Sequence, residues 1–278
     1  MSSVDLIYLY ISIGIALYFE PRMTDSESDE NDEYLKRIHF QSIRASHGLE
    51  TAISVQWDGM ESPIILSTLL EEDDLAPLFA GAQWAGTRVW HAAIAMIQYL
   101  TTKYTDLLKQ EQCQLLELGC GLGVPGMICH SLYQTNTYLT DQESIMSQLR
   151  NNVQQQQQGV VPQQQDAQLH VRALDWSRDA VRDLIRETGP FDIVINCDCV
   201  YEPLYGDSWK LLADVMEELL RVNPKALMLT SCERRPADSI DQFLERLQTS
   251  KYISSVETVW TDPKFNIEIY HAKGIERL

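Results

Sequence analysis

Basic residues are scarce in this chain: its 278 residues hold 22 Lys and Arg against 40 Asp and Glu, a formal net charge of -18. A sequence-independent grip on phosphate backbones needs clustered Lys and Arg. Nucleic acid is therefore not expected as a partner, and a basic protein surface is. Cysteine is present, six in all, but no C-x-x-C pair is followed by a second at zinc-finger spacing. The thiols at 113, 120, 129, 197, 199 and 232 lie in or beside apolar runs. They read as buried, reduced cysteines of a cytoplasmic protein, with no metal site. Cys197 and Cys199 are expected on one face of a strand, because strand side chains alternate.

A bilayer-crossing helix needs roughly 20 apolar residues, and the run from Leu6 to Phe19 has fourteen. It lacks a basic leading region and a clean small-residue cleavage site, so a signal peptide is not expected. Residues 1–34, apolar and then acidic through TDSESDENDEY, read as an extension largely without a fold of its own. Residues 1–22 are taken as a non-native upstream piece, with a membrane anchor as the alternative.

Glycine is thin too, 13 in all, yet four fall within eight positions of LLELGCGLGVPG, residues 115–126. Hydrophobic residues make up 45% of the chain, enough for a sizeable core. Residues 35–86 read as a small β or irregular extension: RIHFQSI and TAISVQW flank Gly48 as a hairpin, and 62–86 carry no clear pattern. A helix is expected from Thr87, as N-cap, through VWHAAIAMIQYLTTKY, and opens a domain over 87–278.

Strands then read at 113–119, 137–141, 169–176, 191–198 and 226–232, with helices at 124–133, 142–153, 177–188, 207–221 and 237–249. The Gln-rich stretch 154–168 reads as a low-complexity loop. Continuous apolar strands alternating with helices predict an α/β, doubly wound, mostly parallel sheet. ISSVETVW and FNIEIYHAK, separated by TDPK, predict a C-terminal antiparallel hairpin.

Ligands of such sheets sit beyond the carboxyl ends of the strands. The glycine loop lies at that edge, and Gly121 to Gly126 satisfies the G-x-G-x-x-G pattern of dinucleotide binders. Glu117, two residues before the first glycine, opposes a pyrophosphate and suits a ligand bearing an ammonium and a sulfonium. Asp141 ends the next strand, where a carboxylate can accept ribose hydroxyls. Asp175 and Trp176 end the third, and Asp198 and Tyr201 follow the fourth.

In order, LELGCGLG, the acid of LTD, LDW and CDCVYEP resemble the motifs of seven-stranded, Rossmann-like S-adenosylmethionine-dependent methyltransferases. They are most similar to the protein lysine methyltransferase branch of the methyltransferase-like proteins. That branch has an acid-x-x-aromatic hallmark, which Asp198-Cys199-Val200-Tyr201 fits. The resemblance spans about residues 84–273. It implies that Gly119, Cys120 and Gly121 line the methionine end of S-adenosylmethionine, Asp141 holds the ribose, Trp176 the adenine region and Cys197 the cofactor edge. Trp90 would close the pocket, and Asp198 and Tyr201 would border a lysine channel. It further implies a monomeric enzyme acting on a protein, a chaperone or translation factor being the family's usual kind.

Four other readings remain at this point. A base methyltransferase of this fold is expected to carry Pro-Pro where Cys199 and Val200 stand. A nicotinamide dehydrogenase meets Glu117 and the terminal hairpin as obstacles. A cofactor-binding protein without turnover, or a small-molecule N-methyltransferase, would share the same fold.

Overall fold

In the computed structural model, which describes residues 35–44, 50–67, 88–158 and 167–276, the run QLLEL forms strand β4 (Gln114–Leu118). Residues 115 to 118 are all buried, because a central parallel strand is covered on both faces. β4 pairs in parallel with β5 (Asn136–Asp141) on one side and β7 (Ile193–Cys197) on the other. β6 (Leu169–Ala173) extends the sheet beyond β5, and β8 (Leu227–Glu233) beyond β7. The antiparallel pair β9 (Ile253–Asp262) and β10 (Ile267–Gly274) completes seven strands in the order β6-β5-β4-β7-β8-β10-β9. Asp262 shapes that hairpin by accepting from the N–H groups of Lys264 and Phe265, at 2.8 and 3.2 Å.

Helices cover both faces. Helix α1 (His91–Lys103) and the short α2 (Thr105–Leu108) precede β4, and α3 (Val124–Tyr133) and α4 (Met146–Gln158) follow β4 and β5. Side chains of α1, α3 and α4 share the core with Leu115, Leu139, Ile193 and Ile195. The opposite face, with Leu116, Leu118, Val194 and Met228, packs on α5 (Arg178–Thr188), α7 (Trp209–Val222) and α8 (Ile240–Gln248). The four-residue α6 (Glu202–Tyr205) lies between β7 and α7.

Ahead of the main sheet, β1 (Ile38–Arg44), β2 (Glu50–Trp57) and β3 (Ile64–Ser67) form an antiparallel three-stranded sheet. The expected hairpin is thus present, and IILS adds a strand too short to leave a pattern. Trp57, Ile64 and Leu66 are fully buried in the same core as Ile128, Met146 and Leu149. The β3 backbone is tied to α4, where Asn152 accepts from the Ser67 N–H at 2.8 Å and Gln148 donates to its carbonyl at 2.8 Å.

Three expectations are corrected. Helix α1 begins at His91 with extended Trp90 as its N-cap, and Thr87 lies outside the described residues. Gln154 to Gln158 continue α4, in keeping with the good helix propensity of Gln. β7 ends at Cys197, and Asp198 takes φ +57°, which breaks the alternation that would place Cys197 and Cys199 on one face. The expected features of residues 1–34 lie outside the described residues. No helix among those described is long and apolar enough to cross a membrane.

Candidate active site

Chain order reverses beside β4: β5 and β6 build one half of the sheet, β7 and β8 the other. Loops leaving the carboxyl ends of β4 and β7 diverge at that point and open a crevice. A cavity of about 440 Å³ occupies it, within the range of small-ligand sites. Its wall includes Trp90, Glu117, Gly119, Cys120, Gly121, Asp141, Trp176, Cys197 and Asp198. Tyr201 is not part of that wall. Leu204, Tyr205, Ser208 and Leu211, from α6 and the start of α7, are.

The backbone after β4 is held from β5. The Cys120 N–H donates to the Thr140 carbonyl at 3.0 Å, and the Gly121 N–H to an Asp141 carboxylate oxygen at 2.8 Å. The other Asp141 oxygen accepts from the Gln142 N–H at 2.7 Å. Val124 and Pro125 open α3, and the Gly126 N–H donates to Glu117 at 2.8 Å. A donor that a dinucleotide pyrophosphate would need is therefore already engaged by a carboxylate of the protein.

Glu117 is 1% exposed, and no cation among the described residues pairs with it. Burial pushes its carboxyl up to about 8, against the downward pull of the Gly126 N–H. Burial likewise raises Asp141, against its two backbone donors. The thiols of Cys120, Cys197 and Cys199 are held well above their ordinary values by burial, so they are neutral walls rather than nucleophiles. A buried acid and a half-buried one that face a cavity without a counter-cation fit a ligand that brings positive charge and hydroxyl donors.

At the other end of the cavity Asp198, 5% exposed, is locked in place. Its carboxylate receives Arg235 Nη1 at 3.1 Å and Nη2 at 2.6 Å, and the Glu233 N–H at 3.1 Å. Arg235 Nη2 also reaches Glu233 at 2.8 Å. The guanidinium lies over the rings of Tyr201 and Trp90, 5.1 and 5.5 Å from their centroids. Tyr201 thus meets Arg235 and leaves the cavity wall to Tyr205. Asp238 holds the loop itself, accepting from the N–H groups of Arg235 and Ile240 at 2.9 Å each.

Sequence reasoning passed over Arg235 and Tyr205. The signal for Arg235 was ERRP at the carboxyl end of the strand beside β7. The signal for Tyr205 was a second tyrosine one turn after the first.

A family model described as lysine methyltransferase matches residues 71–250. The chain belongs to the lysine methyltransferase family. By that membership it is an S-adenosylmethionine-dependent methyltransferase. It is also 33% identical, over 155 residues, to "Secreted RxLR effector protein 48" of Plasmopara viticola, covering 54% of this chain and 79% of that one. Among solved structures, an S-adenosylmethionine-dependent methyltransferase from Agrobacterium tumefaciens shares the fold. It superposes with a TM-score of 0.50 at 10% identity, over 82% of this chain and 72% of that one. Human methyltransferase-like protein 13, in complex with SAH, superposes at 0.43 with 14% identity, over 73% and 82% of the two chains.

Proposed function

We propose that this lysine methyltransferase family member transfers a methyl group from S-adenosylmethionine to a lysine side chain of a protein. The observation that carries the reading is the pair of acids without a cation partner, buried Glu117 and half-buried Asp141, in one cavity with Asp198. The residues present fit the cofactor. Glu117 would take the ammonium of its methionine end, beside Gly119, Cys120 and Gly121. Asp141 would accept the ribose hydroxyls with the lone pairs its backbone donors leave free. Trp176 would flank the adenine, Cys197 the cofactor edge, and Trp90 the entrance. Bound there, S-adenosylmethionine supplies a methyl group on a positively charged sulfur, a leaving group already activated.

The protein's share is alignment and electrostatics. A free lysine amine has a pKa of about 10.4, so losing its proton at pH 7 costs about 4 to 5 kcal/mol. Burial beside a cationic cofactor lowers that cost. Asp198 would orient the amine, with Tyr201 holding the guanidinium that fixes Asp198, and water would carry the proton away. The chain's excess of acid, -18 overall, suits a basic stretch around the target lysine.

Incubation with labelled S-adenosylmethionine and an extract from cells lacking the enzyme tests this reading. A labelled protein band that resolves to methyl-lysine is the expected result. Label only on nucleic acid or small molecules would overturn it.

Glu117 adds a pH dependence. In the folded protein its carboxyl stays protonated up to about 8, whereas an ordinary one ionises near 4.5. Between those values the folded state holds a proton that the unfolded chain has released, so this group makes stability fall as pH rises through the window. Glu117→Gln is expected to raise the melting temperature of the ligand-free protein at pH 8. It should also weaken S-adenosylhomocysteine, which carries the same ammonium, by about tenfold. Calorimetry of the wild type at pH 7 in two buffers should show release of about one proton on binding. A buffer-independent heat would remove Glu117 from this role.

A further inference from the structure

Within the proposed amine site, the lone pairs of Asp198 can be counted. An ionised carboxylate offers about four acceptor positions. Three are filled, by Arg235 Nη1, Arg235 Nη2 and the Glu233 N–H. About one is left for an arriving group. A neutral amine ready to attack points its lone pair at the electrophile and has two N–H groups to place. Asp198 can take one of them, and the other needs a second acceptor in the cavity wall.

Tyr201 does not supply it, since its ring lies under Arg235 and outside the cavity wall. Tyr205 does line the cavity. It closes α6 one turn after Tyr201, and its own N–H donates to the Tyr201 carbonyl at 3.0 Å, which fixes the offset between the two rings. Among the described residues no hydrogen bond is given to or by its hydroxyl. Burial raises the phenol well above its ordinary range. The hydroxyl therefore stays protonated.

Resting on the methyltransferase reading, we propose that the Tyr205 hydroxyl is the second acceptor for the substrate amine, so that Asp198 and Tyr205 together turn its lone pair toward the cofactor. The hallmark tyrosine, Tyr201, then serves as a positioning residue that acts through Arg235. Tyr205 is the residue that touches the substrate.

Two measurements test this on the whole 278-residue chain. Tyr205→Phe keeps the ring and removes the acceptor. Its kcat for the labelled substrate should fall about tenfold, the loss expected of one buried hydrogen bond. Affinity for S-adenosylhomocysteine should stay within about threefold of wild type.

The second measurement needs no turnover. Protein carrying 13C at the tyrosine hydroxyl carbon is loaded with S-adenosylhomocysteine and titrated with butylamine at pH 10. The resonance missing from Tyr205→Phe should move, and the one missing from Tyr201→Phe should not. Unchanged kcat in Tyr205→Phe, or a shift confined to Tyr201, would overturn the proposal. A moving Tyr205 resonance in a protein that labels no substrate would leave the amine site standing and remove the methyltransferase reading instead.

Discussion

Arg235→Ala is expected to destabilise the protein by about 3 kcal/mol, the lower end of the range for breaking a buried ion pair. The reason is what remains. Asp198 is 5% exposed and keeps only the Glu233 N–H at 3.1 Å once the guanidinium is gone. Two aromatic rings, Trp90 and Tyr201, lose the cation between them as well. The low end applies because the Arg235 side chain is 17% exposed, so water can reach part of the vacated space.

For a chain of this size the loss corresponds to a melting temperature about 6 to 12 °C lower. Removing the charge left behind should recover much of it, so Asp198→Asn in the Arg235→Ala background is expected to melt above Arg235→Ala alone. A thermal double-mutant cycle checks this. Additive effects at the two sites would show that the pair does not couple.

Gly119→Ala is expected to cost nearly as much and to weaken S-adenosylhomocysteine by more than about tenfold. Gly119 has φ +62°, a left-handed conformation that costs an L-residue about 1 kcal/mol or more. A Cβ there would lie 2.7 Å from Cys199 Sγ and 3.1 Å from Trp176 Cζ2. Neither neighbour is a free chain end: Cys199 is buried, and Trp176 packs against the core cluster of Leu118 and Val181. Crowding of this kind adds about 1 to 3 kcal/mol. The walls that must yield also line the cavity, so stability and affinity should fall together. Calorimetric titration and thermal unfolding of the same preparation would show it, and a destabilised variant with wild-type affinity would contradict it.

Much of the architecture is legible in the sequence. Parallel strands buried on both faces leave continuous apolar runs, and QLLEL and IVINC stand out for that reason. Their carboxyl ends identify the crevice, because ligand sites of such sheets follow from strand direction. What escaped were relations that depend on which strands become neighbours. Asp198 and Arg235 lie 37 residues apart in sequence and meet because β7 pairs with β8.

Tyr201 and Tyr205 fall on the same short segment, and spacing alone does not say which one the cavity receives. Once Asp198 turns left-handed and Arg235 covers Tyr201, that wall belongs to Tyr205. β3 escaped because four residues leave no periodicity. Only the burial of Ile64 and Leu66 and the ties of Ser67 to α4 mark it.

The interior position of β10 has a consequence for the order of assembly. β8 is made before the hairpin that covers its outer edge, so that edge stays open until β10 is synthesised and inserted. The loop carrying Arg235 gains further contacts from the same event. The neighbouring Arg234 donates its N–H to the Asn266 carbonyl at 2.7 Å, and its guanidinium meets Tyr270 at 3.1 Å and Glu268 at 3.5 Å. The cavity wall comes entirely from residues upstream of β8, while the loop beside Asp198, held by Asp238 and Asp198, gains its last ties when the hairpin docks. During synthesis the whole cavity wall, Asp198 included, is therefore made before the hairpin that ties down the Arg235 loop.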